Sequence, residues 1–480
     1  MPVATKKNQR PSPNLLSYEI HASQKAIHRI QAQTDEERTE FVIKALIDYF
    51  ADGMRANPKA FHARFRKMAA TPFNFYRGSA ILFYQDLKVD QDVFIAKNPA
   101  AGQIFIHVSR IHCRCSTTSL AFQGDLHAEN FGTFLDDDDG ILKFDVNDFD
   151  EGYLGPFTWD VKRLVASLNL ICYSKAFSDE EIERILHACV EAYVEQVSEF
   201  GRQKKDQFFL SLKTTTGKIN ELLNETRLKS RANHLDSLSC IVDYDRKFIR
   251  SKQVQNVSKD LQDQLVRAFQ SYLETIPENK KYCDRGYNGG EINYKIKDIV
   301  QRSSPGIGSA GKISYSFLLQ GSKETLDTDI VLYMKPAQRS ALSTVIRHPD
   351  LDQYFQHDGR RTVLCSYGMQ ATTPRWLGYT TLNSVPCLVD EVAPHGDDLA
   401  WSGINEMHDI IDVVKVLGRV TAKIHCVADS DWDADSDGVM YVPPSIVPSD
   451  TEQAIRRAID GRDVQFMNEI VEFGMVTSST

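Results

Sequence analysis

No apolar run in the 480-residue sequence reaches the roughly 18–20 residues needed to cross a bilayer. The best, around Leu164–Tyr173, is broken by Ser and Asn. The first residues, Met1 to Leu16, are basic and carry Pro and Ser, but they lack the apolar stretch of a secretory signal. Cysteine is sparse: nine scattered residues, an odd number with no dense framework, exclude a disulfide scaffold and fit thiols kept reduced in a cytoplasmic protein. Only His112-Cys113-Arg114-Cys115 resembles a metal-ligand cluster, and it has no second Cys/His pair nearby. A strong excess of positive charge is also missing. Fifty-six Lys and Arg against 65 Asp and Glu leave −9, so no nucleic-acid or membrane partner is expected and an anionic ligand needs a local site. Apolar (42%), aromatic (10%) and charged (25%) content is that of globular proteins and excludes disorder as a global description.

Patterning divides the chain. Residues 1–17 read as a disordered tail. From Thr34 to Met68, Phe41, Val42, Ala45, Leu46, Tyr49, Phe50 and Met54 recur at helical spacing and predict a helix pair ending before Thr71-Pro72. Phe131 to Leu135 and Ile141 to Val146 flank Asp136-Asp137-Asp138-Asp139-Gly140, which predicts a hairpin with an acidic tip. Those aspartates lack the spacing and closing Glu of a calcium loop. Helices are expected after Trp159 and over 180–200, the second opened by the capping box Ser178/Glu181. Residues 202–260 read as polar helical material. Strands follow at Ile313–Leu319, Ile330–Met334 and Pro386–Val392, then a helix over Ile404–Val427. The fold class is α+β.

Gln123-Gly124-Asp125-Leu126-His127-Ala128-Glu129-Asn130 places an Asp and an Asn five residues apart, and the hairpin returns to Asp145-Val146-Asn147-Asp148-Phe149-Asp150-Glu151. Such a layout suits phosphoryl transfer, in which one Asp accepts the proton of an attacking hydroxyl and an Asn and a second Asp hold Mg²⁺. That chemistry also asks for a phosphate-cradling glycine loop and a lysine. Gly306-Ile307-Gly308-Ser309-Ala310-Gly311, followed by a strand ending near Lys335, offers both. The strand after this loop argues against a dinucleotide site, and Ile313 stands where a P-loop needs Ser or Thr.

Gly124-Asp125-Leu126-His127-x-x-Asn130 resembles the catalytic loop of aminoglycoside phosphotransferases and related small-molecule kinases. Asp148-Phe149-Asp150-Glu151, followed by Trp159-Asp160-Val161, resembles their metal segment. The resemblance implies a two-lobed, protein-kinase-like fold with ATP and Mg as cofactors. Asp125 is then the general base, and Asn130 with Asp148 or Asp145 binds metal. Asp160 braces the loop. Gly306, Gly308, Ser309, Gly311 and Lys335 meet the nucleotide phosphates, and the Val389–Val392 strand, through Glu391 and Val392, meets adenine. Leu417-Gly418-Arg419-Val420-Thr421-Ala422-Lys423-Ile424-His425 looks like the helix that precedes the catalytic loop in those enzymes. Here it lies near the end of the chain, so a circular permutation is expected.

The whole chain also resembles a family known as domain of unknown function 2252. The resemblance rests on Pro72-Phe73-x-Phe75-Tyr76-Arg77-Gly78, Gly155-Pro156-x-x-Trp159-Asp160-x-Lys162-Arg163-Leu164 and the motifs above. The expected units are a helical region over 18–120, a catalytic-loop and metal unit over 121–200 and a helical insertion over 201–295. A β-rich nucleotide unit over 296–400 and a returning helix with a tail over 401–480 complete the chain. In the kinase pattern a Glu fixes the lysine. Here Pro336 follows Lys335 and no Glu recurs until Glu391, leaving Gln338, Asp350 or Asp352 as substitutes. Arg77 is expected to meet either a phosphate or a carboxylate, and Lys162 and Arg163 to neutralise the acidic cluster. His127 is expected to brace the loop, with His395 and His425 structural. The expected activity is a phosphotransferase acting on a hydroxyl of a small molecule. The alternatives are a catalytically weak nucleotide-binding scaffold, a nucleotidyltransferase and a metal-dependent phosphohydrolase.

Overall fold

The computed structural model describes residues 34–87, 120–136, 139–202, 208–283, 290–291, 294–303, 312–321, 323–346, 349–370, 372–427 and 451–476. The 1–17 tail, the His112–Cys115 cluster and Gly306–Gly311 lie outside them. Helix α1 (Asp35–Ala56) opens on a capping box between Thr34 and Glu37. Asn57 caps α2 (Pro58–Met68), whose first residue is a proline that has no N–H to lose there. Helices α3 (Pro72–Gly78, capped by Thr71) and α4 (Ala80–Asp86) follow.

Strand β1 (Leu120–Phe122) precedes the expected hairpin of β2 (Phe131–Leu135) and β3 (Leu142–Val146), which pair from Phe131↔Val146 to Leu135↔Leu142. The acidic tip is partly turned inward, where the buried Lys143 ammonium bridges Asp136 and Asp139. Strand β4 (Tyr153–Gly155) pairs with β1 and leads into α5 (Phe157–Ser174) and α6 (Asp179–Phe200). The Ser178/Glu181 capping box is present at the start of α6.

Residues 201–295 depart from a purely helical insertion. They hold β5 (Leu210–Ser211), which joins the hairpin at β3, then α7 (Gly217–Thr226) and α8 (Arg231–Leu238). Beyond these come the β6–β7 hairpin (Ser239–Val242 and Asp245–Phe248), β8 (Val254–Asn256) and α9 (Lys259–Leu273). Polar composition concealed a single buried stripe on α9, Leu265, Ala268, Phe269 and Tyr272, at helical spacing.

That stripe covers one face of a six-stranded antiparallel sheet. Its strands are β9 (Ile296–Ser303), β10 (Ile313–Leu319), β11 (Ile330–Pro336), β12 (Gly378–Leu382) and β13 (Val385–Glu391), in the order β12-β13-β11-β10-β9-β8. Helix α10 (Asp358–Met369) packs against β12 and β13. The register Tyr315↔Met334 and Phe317↔Leu332 sends Phe317, Leu319, Leu332 and Met334 toward α9. Because strand side chains alternate, Lys312, Ser314, Tyr333 and Lys335 share the opposite face. Farther along that face Leu318 and Val331 are covered by Leu235 of α8 and Phe248 of β7.

Helix α11 (Met407–Cys426) lies along α6 so closely that a Cβ on Gly418 would fall 2.2 Å from the Cys189 carbonyl oxygen. Helices α12 (Thr451–Ile459) and α13 (Asp463–Val476) complete the helical layer on α6 and on α5 with α6. The largest apolar core joins these helices to the N-terminal ones and to the β2–β3 hairpin. No helix among the described residues is long and apolar enough to cross a membrane.

Candidate functional site

One face of α5 fixes the loop that follows β1. Asp160, Arg163 and Ser167 lie three and four residues apart, so they project from the same side of the helix. Asp160 accepts from the backbone N–H groups of Gln123 (2.9 Å) and Gly124 (3.2 Å). Arg163 donates from Nε to Asp125 Oδ1 at 2.7 Å and again from its terminal nitrogen to the same oxygen. Ser167 Oγ accepts from the Ala128 N–H at 3.0 Å. His425 of α11 meets the second oxygen of Asp160 at 3.3 Å and Tyr193 of α6 at 3.0 Å, tying both helices to the loop. Gly124 has φ +82°, and a Cβ there would lie 2.2 Å from the Glu151 carbonyl oxygen, so the turn demands glycine.

This loop borders a cavity of about 390 Å³. Asp125, His127, Asp148, Asp150 and Glu151 line it on one side. Lys312, Ser314, Tyr333, Lys335 and Pro336 face them from the sheet, with Gln338 beyond. Tyr49, Phe50, Arg64, Arg77, Gly78 and Ala80 close it from helices α1 to α4. Three segments far apart in the chain therefore build one site.

Lys335 Nζ bonds Asp150 Oδ2 at 2.8 Å, across 185 residues of sequence. This is the carboxylate partner that the sequence around Lys335 lacks. It comes from the acidic segment, not from Gln338 or Asp352, and the side chain of Asp350 lies outside the described ones. Burial alone would raise the Asp150 carboxyl, but the Lys335 charge and hydrogen bond, helped by Lys312 and Arg361, outweigh it and hold Asp150 below the usual range. Asp148 goes the other way. Burial first, then the Asp150 charge, push it up against the pull of Lys335.

Asp125 is pushed up to about 6 by burial, opposed by the charge and hydrogen bonds of Arg163. Its second oxygen, Oδ2, lies 3.9 Å from His127 Nε2. His127 Nδ1 accepts from the Glu129 N–H at 3.2 Å, and burial with the nearby Arg163 and Arg77 charges depresses the ring well below its ordinary value. It is a neutral loop brace. Glu151 is pushed up to about 7 by burial, opposed by the Ala341 N–H, which it accepts at 2.6 Å. Arg77 both borders the cavity and pairs with Glu129.

Several expected ligands fall elsewhere. Asp145, the competitor of Asp148, accepts from its neighbour Val146 N–H at 2.8 Å and is ion-paired with buried Lys423; it does not line the cavity. Asn130 donates from Nδ2 to the Asp125 carbonyl at 2.8 Å and so stands just behind the cavity, with Oδ1 as its remaining acceptor. Glu391 is ion-paired with Arg231, and the backbone of Val392 donates to Val331 at 2.8 Å and accepts from His234 at 3.0 Å. Helix α8 thus takes up both residues that were expected to meet adenine, and neither lines the cavity.

Sequence reasoning missed Asp150 as the lysine partner and, apart from Arg77, the N-terminal wall. It also missed Arg361, buried on α10, which donates to the backbone carbonyls of Asp150 (2.8 Å), Gly152 and Gln338 (2.6 Å) and so welds the acidic segment to the end of β11. The i, i+3 spacing of Asp160 and Arg163 was an available signal for Arg163 as a partner of Asp125.

No curated protein and no solved structure matches this sequence. The profile of one family, described as uncharacterised proteins conserved in bacteria, matches residues 55–477. The match covers every residue that lines the cavity except Tyr49 and Phe50, and the chain belongs to that family, DUF2252.

Proposed function

We propose that the protein is an ATP- and Mg-dependent phosphotransferase with a circularly permuted, kinase-like fold, acting on a hydroxyl of a small molecule. One observation carries this reading: Asp125, Asp148 and Asp150 face Lys312 and Lys335 across one cavity, although the carboxylates and the lysines lie far apart in sequence. The sheet supports it too. Ser303 and Ile313, which flank the glycine segment, pair as the last residue of β9 and the first of β10, at the end of the sheet where Lys335 leaves β11. A glycine turn between two strands with a lysine on the next is the kinase arrangement. His425 on Asp160 also brings α11 beside the loop that it would precede in an unpermuted chain.

The donor set suits Mg²⁺. Asp148 lines the cavity, and Mg²⁺ is typically held by one or two carboxylates together with substrate phosphates. Asp148 would hold it, with the Asn130 amide oxygen behind. The ion would offset charge on the phosphates. Asp125 supplies the base: Arg163 occupies Oδ1, leaving Oδ2 for the proton of the acceptor hydroxyl. Lys335, anchored by Asp150, presents positive charge to the transferred group.

Slow ATP hydrolysis, with water as acceptor, tests the roles. Asp125→Asn is expected to lower turnover about 100-fold or more while ATP affinity stays within about threefold. Equal turnover in wild type and variant would refute Asp125 as base and favour a nucleotide-binding scaffold.

A further inference from the structure

The two lysines on the sheet wall are not equivalent. Lys335 is committed to Asp150 at 2.8 Å. Lys312 precedes β10, two residues before Ser314 on the same face, and lines the same cavity. No carboxylate pairs with its ammonium among the described residues. Burial pushes that ammonium down to about 8, with Asp150 and Glu151 holding it up and Lys335 and Arg64 pushing it lower. A half-buried lysine that faces carboxylates without being paired is a site for an anion brought in from outside, and a polyphosphate is an anion large enough to reach both lysines.

We infer that Lys312 is the principal phosphate-binding lysine of the donor site, with the polyphosphate lying between Lys312 and the Asp150-anchored Lys335. The inference rests on the phosphotransferase reading and assigns the work within it. Lys335 organises the acidic segment, and Lys312 supplies the charge not already spent on a protein carboxylate. It also gives Lys312 a role outside a P-loop, since this lysine leads into a strand and not a helix.

Calorimetry with inorganic tripolyphosphate, ATP and adenosine, each with Mg²⁺, separates the possibilities. Lys312→Met is expected to weaken tripolyphosphate and ATP at least tenfold and leave adenosine unchanged. Lys312→Arg should recover most of the loss. Melting at the wild-type temperature certifies that the variant is folded. Trinitrobenzenesulfonate, read by peptide mass mapping, should label Lys312 in wild type, and tripolyphosphate should protect it. Tripolyphosphate affinity in Lys312→Met within twofold of wild type, or labelling without protection, overturns the assignment of Lys312 alone. Wild type that binds neither tripolyphosphate nor ATP removes the nucleotide reading, and this inference with it.

Discussion

Asp125 and Arg163 form the tightest arrangement of the site. The guanidinium is fully buried, lies over the Tyr76 ring at 4.5 Å and the Phe83 ring at 5.1 Å, and donates to the Tyr76 carbonyl at 3.2 Å. So held, it can fix one carboxylate oxygen and keep Asp125 ionised despite burial. A base must be charged, so hydrolysis should fall as pH drops through about 6 in wild type. Arg163→Lys keeps the charge and loses the paired donors, and its acid limb is expected to move up by about one pH unit, with activity largely recovered by pH 8.5. An unshifted limb would reduce Arg163 to packing. Glu151 gives a second titration. Its carboxyl sits near 7, against about 4.3 in an unfolded chain, so its contribution to stability is full below about pH 4 and is lost as pH rises through 7. Glu151→Gln removes the cost of burying that charge. The variant should melt above wild type at pH 8 and with it at pH 4, and an equal difference at both values would contradict the assignment.

Elements that obey a local period were legible in the sequence. The 131–146 hairpin, strands 313–319 and 330–334, the α1–α2 pair and the Ser178 capping box follow from alternation, helical spacing and cap chemistry. The region 201–295 was not, because β5 and β8 are two and three residues long and exist only by pairing with strands elsewhere. Partnerships across the fold were equally silent. Nothing near Lys335 points to Asp150, and nothing in α8 announces that Arg231 and His234 will claim Glu391 and Val392. Helix packing carries its own prediction. Gly418→Ala in α11 forces a methyl into the Cys189 carbonyl of α6 and should cost about 1–3 kcal/mol, read as a lower midpoint in urea. Unchanged stability would mean that α11 and α6 separate without cost.

At the scale of the molecule, the cavity is a meeting of N-terminal helices, an acidic loop held by α5, and one face of two central sheet strands that the chain reaches only after residue 295. The acidic segments were readable as one carboxylate cluster, because Asp125, Asp148, Asp150 and Glu151 stand close in sequence on either side of a predicted hairpin. The N-terminal wall was not, since Tyr49, Phe50 and Arg64 look like ordinary residues of amphipathic helices until the fold turns them toward Asp125. Whether the three distant segments form the proposed nucleotide site is read by calorimetry of ATP with and without Mg²⁺, on wild type and on Asp148→Asn. Mg-dependent binding is expected in wild type, weakened about tenfold or more by Asp148→Asn. No binding to wild type at millimolar ATP would contradict it.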